Sequence, residues 1–217
     1  MRKENKRNFY IGAVSLTAFV LWTLLVRIIN VRAIGPNETT VGFATINGYI
    51  HNLTGVNMTL YNITDWLGLV PIVFAMGFGM LGLIQWIKRK NILKVDYSIL
   101  TLGLFYIAVI AVYILFEKVV VNYRPILING YLEASYPSST TMLVFCVMPT
   151  AVMQLNTRIN GIIIRRGVSL LITAFTVFMV IGRLISGVHW FSDIVGGALL
   201  SIGLVMMYRY VVGLKLT

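Results

Sequence analysis

The chain has 217 residues, 58% of them hydrophobic and 12% charged, with a mean hydropathy of +0.85, a balance that excludes an ordinary soluble domain, where charged residues make up roughly a quarter. The net charge of +11 suits either nucleic acid or an anionic membrane surface as partner, and the apolar composition makes lipid the main solvent. A single cysteine, Cys146, excludes an intramolecular disulfide framework.

In chain order, a basic stretch with Arg2, Lys3, Lys6 and Arg7 precedes the first uncharged run, Phe9 to Val26. A cleaved signal peptide would end in small residues around a cut site, and Asn30-Val-Arg-Ala-Ile-Gly35 has no such pattern, so the run reads as a retained helix. A long segment rich in Asn, Thr and Gly follows, residues 30–65, read as a loop with interfacial patches that serves as a lid or substrate entrance. It carries four Asn-x-Thr triplets, at Asn37, Asn52, Asn57 and Asn62, which are glycan acceptors in a secretory-pathway protein. Trp66 to Ile87 and Tyr97 to Phe116 are the next two spans, each near the ~20 residues a helix needs to cross a bilayer. Three more are expected at Thr140 to Leu155, at Gly167 to Gly182 and on past Arg183, and at Trp190 to Tyr208. Pro71 and Pro149 predict kinks in the second and fourth spans.

Alternation of period two, the mark of a membrane β-barrel, is absent, and helices are the other way to satisfy the backbone in lipid. The expectation is an all-α integral membrane bundle of six transmembrane helices forming one domain. Of the 18 Lys and Arg residues, 13 fall in segments that lie on one side when six spans alternate: 4 before the first span, 4 between spans two and three, 3 between four and five, and 2 at the end. The positive-inside tendency makes that side the cytoplasm, places both termini there, and assigns the charge to the membrane and not to nucleic acid. Trp66, Trp86 and Trp190 then fall at helix ends, as interfacial anchors do.

Ionisable residues at membrane depth are costly and mark function. They concentrate in two segments that this topology places together on the outer side: 117–141, with Glu117, Lys118, Arg124, Ser138, Ser139 and Thr140, and 182–193, with Arg183, His189 and Asp193. His189 and Asp193 are four apart at the start of a helix and share a face, so the carboxylate can accept the Nδ1 proton and leave Nε2 free as a nucleophile. Arg183, Arg124 and Lys118 supply cations for the oxygens of a phosphoryl group. Glu133 and Asp96 read as solvated loop charges, and His51 as a bystander.

These residues resemble the three motifs of the type 2 phosphatidic acid phosphatase family, Lys-x6-Arg-Pro, Pro-Ser-Gly-His and Ser-Arg-x5-His-x3-Asp, over roughly spans three to six. The resemblance implies a phosphohydrolase that needs no metal or cofactor and passes the phosphoryl group through a phosphohistidine. His189 is then the nucleophile, Asp193 its orienting partner, Lys118, Arg124 and Arg183 the phosphate clamp, and backbone N–H groups at Ser138 and Ser139 further donors. Three departures stand out: Gly182 replaces a serine, Lys118 is one position too close to Arg124 with Glu117 in the lysine's place, and Ser139-Thr140 replaces Gly-His. In the family that second histidine protonates the leaving group, so Thr140 implies low activity or an engineered inactive variant. A diphosphate, whose leaving group is itself a phosphate, tolerates this best. The expected substrate is therefore a lipid phosphate at the outer leaflet, undecaprenyl diphosphate ahead of phosphatidylglycerophosphate or phosphatidic acid. The alternative is a relative that binds a lipid phosphate without hydrolysing it.

Overall fold

The computed structural model describes residues 3–215, so Arg2 lies outside it. Eight α-helices follow in order: α1 (Lys3–Ile28), α2 (Ala44–Thr54), α3 (Met58–Leu67), α4 (Leu69–Arg89), α5 (Tyr97–Lys118), α6 (Ser139–Asn156), α7 (Ile162–Ile185) and α8 (Phe191–Leu214). Arg32–Ala33 (β1) and Thr40–Val41 (β2) form a two-residue antiparallel hairpin before α2. Among the described residues five helical stretches are long and apolar enough to cross a membrane: α1, α3 running on into α4, α5, α7 and α8. The remaining long helix, α6, corresponds to the expected fourth span; half of its residues are buried and it packs on α4, α5, α7 and α8.

Residues 30–65 are not the open loop expected from their polarity. The chain folds there into the hairpin, α2 and α3, because Asn57 caps α3 by accepting from the Leu60 N–H at 2.9 Å and Gly55, at φ +63°, turns the chain between the two helices. Asn57 N–H then donates to the Ser186 carbonyl at 3.1 Å, fastening this segment to the turn between α7 and α8.

Close packing of α1 along α8 depends on glycine, as helix contacts in lipid commonly do. A Cβ at Gly203 would stand 2.7 Å from Leu16, and one at Gly12 would stand 2.9 Å from Met207. Pro71 is the third residue of α4, and the helical run from α3 is interrupted at Gly68, where Pro71 has no N–H to offer the Leu67 carbonyl. Pro149 is inside α6, where Thr150 Oγ1 donates to the Cys146 carbonyl at 2.8 Å. At the end of the bundle far from the segments 117–141 and 182–193, Asp96 is no free loop charge: it accepts from Gln85 at 2.8 Å and Arg89 at 2.9 Å, and these bonds hold its carboxyl below the usual range.

Replacing Gly203 with leucine forces a side chain into the α1–α8 seam, a strain of about 1–3 kcal/mol. Thermal unfolding in detergent should show a clear fall in midpoint for Gly203→Leu and none for Gly77→Ala, where nothing lies within 4 Å.

Candidate active site

The turn from Ser186 to Asp193 is the centre of the site, and its sequence explains its rigidity. Gly187 adopts φ +68° against the Gly55 carbonyl, so near that any Cβ would collide with it. Asp193 opens α8 as a capping carboxylate: Oδ2 accepts from the Trp190 N–H at 3.0 Å, and Oδ1 accepts from Asn122 Nδ2 at 3.0 Å. Ser192 is clasped by Asn47 of α2, which accepts from its N–H at 3.0 Å and donates to its Oγ at 2.9 Å. Trp22 of α1 donates to the Ser192 carbonyl at 3.0 Å. Trp190 is no interfacial anchor; it is buried and donates through Nε1 to the Tyr123 carbonyl at 2.7 Å, tying the turn to segment 117–141.

His189 is 3% exposed, and its Nε2 lies 3.2 Å from Nη1 of Arg124. A guanidinium has only donors, so Nε2 is the acceptor and Nδ1 carries the proton. That is the tautomer a nucleophile at Nε2 requires. The expected hydrogen bond to Asp193 is not closed: Nδ1 and Oδ2 are 3.8 Å apart, because the carboxylate is occupied by the Trp190 N–H and Asn122. Burial pushes the His189 pKa down to about 4, Asp193 opposing and the Arg124 and Arg183 charges adding to the fall, so the ring is neutral near pH 7.

The two arginines converge as expected, and each already holds a carboxylate. Arg124 Nε lies 2.9 Å from Glu133, which is thereby an ion-pair partner and not a free loop charge. Arg183, 3% exposed, donates through Nη2 to Asp65 at 2.7 Å, and its Cζ sits 4.9 Å from the Tyr61 ring centroid. Its Nε and Nη1 are buried without a partner. Tyr61 and Asp65 are one turn apart on α3, a contribution that sequence reading missed; their i, i+4 spacing was visible, their partner was not. Asn47 and Asn122 were missed too, since neither lies in a motif.

Ser138 caps α6 and is consumed structurally: its N–H donates to the Asp193 carbonyl at 3.0 Å and its Oγ accepts from Thr141 Oγ1 at 3.1 Å. The N–H groups of Ser139 and Thr140, in the first turn of α6, have no acceptor within the helix and remain for an anion. Lys118 is exposed at the end of α5, with no hydrogen bond or ion pair to the other site residues. Ser139, Thr140, Arg183 and Asp65 line one end of a cavity of about 360 Å³ whose other walls are apolar, among them Leu69, Ile72, Val109 and Leu143. His51 packs on Trp190 at 5.4 Å between ring centroids and does not line this cavity.

A family model described as the PAP2 superfamily matches residues 104–215, more than half of the chain. The chain belongs to the PAP2 superfamily. No curated protein matches this PAP2 chain. Among solved structures it is similar to one described as the first transmembrane PAP2-type phosphatidylglycerolphosphate phosphatase from Bacillus subtilis, with a TM-score of 0.67 and 17% identity. The match covers 96% of this chain and 98% of that one, which shows that the two share a fold along nearly their whole lengths. The protein is thus a multi-pass membrane protein of the PAP2 phosphatase fold.

Because His189 is buried beside two cations, the acid limb it sets on kcat/KM should lie near pH 4, well below the ordinary histidine value of 6.5. A pH–rate profile on a soluble phosphate ester checks this; a limb near 6.5 would mean that the ring is solvated in the working enzyme.

Proposed function

We propose that this PAP2 chain hydrolyses membrane lipid phosphates or diphosphates through a phosphohistidine on His189. The observation that carries the reading is a neutral, Nε2-accepting histidine bonded to Arg124 and under the charge of Arg183, which itself lines an apolar cavity. Nε2 attacks phosphorus while Arg124, touching the same nitrogen, holds a phosphoryl oxygen in line with it. Arg183 offers its unpartnered Nε and Nη1, and the first turn of α6 adds the N–H groups of Ser139 and Thr140. Asp193 needs to approach by about 1 Å to accept a normal hydrogen bond from Nδ1. Water then attacks the phosphohistidine and frees His189. Lys118 would join the clamp through its flexible stem once substrate is present.

The apolar walls favour a substrate whose phosphate carries a long hydrocarbon, lying in the cavity while the headgroup meets the arginines. Within that class the preferred substrate is a polyprenyl diphosphate such as undecaprenyl diphosphate, since its phosphate leaving group departs without the acid that Thr140 fails to supply. Monoesters, phosphatidylglycerophosphate or phosphatidic acid, stand second. The protein works as six spans with both termini cytoplasmic and the site at the extracytoplasmic leaflet. The basic loops 88–94 and 158–166, at the opposite end of the bundle from His189, support that orientation.

Phosphate release by the detergent-solubilised protein tests the reading on undecaprenyl diphosphate and phosphatidic acid. The chain should turn over the diphosphate faster. His189→Ala should abolish turnover of both. Binding of lipid phosphate without release, by the chain and by Thr140→His alike, would replace catalysis with a binding role.

A further inference from the structure

A monoester can be cleaved at useful rates only when its departing oxygen receives a proton. Thr140 cannot give one near neutral pH. The cavity that holds Thr140 contains two more acidic groups, the Tyr113 phenol and the Asp65 carboxyl. Tyr113 is a phenol and so the weaker acid. Asp65 is the one carboxylic acid among the lining residues, and it is held there by Arg183 at 2.7 Å.

Resting on the phosphohydrolase reading, we propose that Asp65 of α3 is the proton donor to the leaving oxygen, in place of the motif histidine that Thr140 has displaced. Three observations converge on it. Gly182, where the resemblance expects serine, lets α3 approach: a Cβ there would come 2.7 Å from Thr64, the residue next to Asp65. That approach sets Tyr61 and Asp65 together on Arg183. Asp65 then faces the apolar cavity that receives the hydrocarbon-bearing part of the substrate, the part that leaves.

At rest the Asp65 carboxyl pairs with Arg183. A monoester that binds as its monoanion to the free Nε and Nη1 of that arginine hands its P–OH proton to the Asp65 carboxylate. When the Nε2–phosphorus bond forms, the phosphorus–oxygen bond to the lipid breaks and its electron pair goes to the leaving oxygen. That oxygen takes the Asp65 proton. In the second half-reaction water attacks the phosphohistidine, its proton passes to the Asp65 carboxylate and on to the departing phosphate, and phosphate leaves as its monoanion with His189 neutral. Both residues return to their starting states. The two departures from the family pattern, Gly182 and Thr140, are then one adjustment seen at two places.

The test compares leaving groups, because a residue that merely positions Arg183 affects all substrates alike. Turnover of phosphatidic acid and of p-nitrophenyl phosphate, whose leaving group departs unaided, is measured for the parent chain, Asp65→Asn and Asp65→Asn with Thr140→His. Asp65→Asn should lose about 10²- to 10⁴-fold on phosphatidic acid and less than about tenfold on the aryl ester, with the added histidine restoring the lipid rate. Folding is checked by competitive inhibition of the aryl reaction by inorganic phosphate, which should persist. Equal losses on both substrates, or no loss on phosphatidic acid, overturn the role of Asp65 while leaving the phosphohydrolase intact. A parent chain that turns over neither substrate overturns the phosphohydrolase reading and this role with it.

Discussion

Two guanidinium groups held within reach of one neutral imidazole, at the edge of an apolar bundle, are the constraint around which this structure is arranged. Cations placed there cost several kcal/mol each unless paired. Each is paired: Arg183 with Asp65, and Arg124 with Glu133. The pairing leaves Nε and Nη1 of Arg183 without a partner and Nη1 of Arg124 on His189. A phosphoryl group can therefore bind to charges that the protein has already stabilised. The same two cations, with burial, keep the histidine neutral.

Precision at that point comes from elements that carry no chemistry. The turn preceding α8 is held by Trp22 from α1, Asn47 from α2, Asn57 ahead of α3 and Asn122 from the segment after α5. Segment 117–141 is itself anchored by Tyr136, whose hydroxyl lies 2.7 Å from Thr23 Oγ1 and whose ring rests against Gly196. A nucleophile needs placement to within fractions of an ångström, and such a web of buried bonds supplies it. The segment that reads as a lid is in this arrangement a brace, and its last helix brings a carboxylate to the clamp.

How much of this was legible follows from what each signal rests on. The long apolar helices announce themselves by composition, and His189, Asp193, Arg124 and Arg183 by their charge in an apolar context and by motif spacing; the structure brings all four together. Ser138 carried the right helix start and the wrong role, because only the fold reveals that its hydroxyl and N–H are already bonded. Trp190 sat where a membrane anchor would, and its burial came from a partner, the Tyr123 carbonyl, that no local pattern encodes. Residues 44–67 form helices whose polar faces are spent on other elements of the bundle, so their composition resembles a loop. Asp65 was invisible for the same reason: its meaning depends on a contact across 118 positions of sequence.

In the proposed reaction Nε2 of His189 is the atom that receives phosphorus. Acid-free quenching of the protein during turnover of lipid carrying radiolabelled phosphate, followed by peptide mapping, addresses it directly. The prediction is a label stable to base and labile to acid on the peptide containing His189 and absent in His189→Ala. Steady phosphate release with no labelled protein at any time, or with label on another residue, would contradict it.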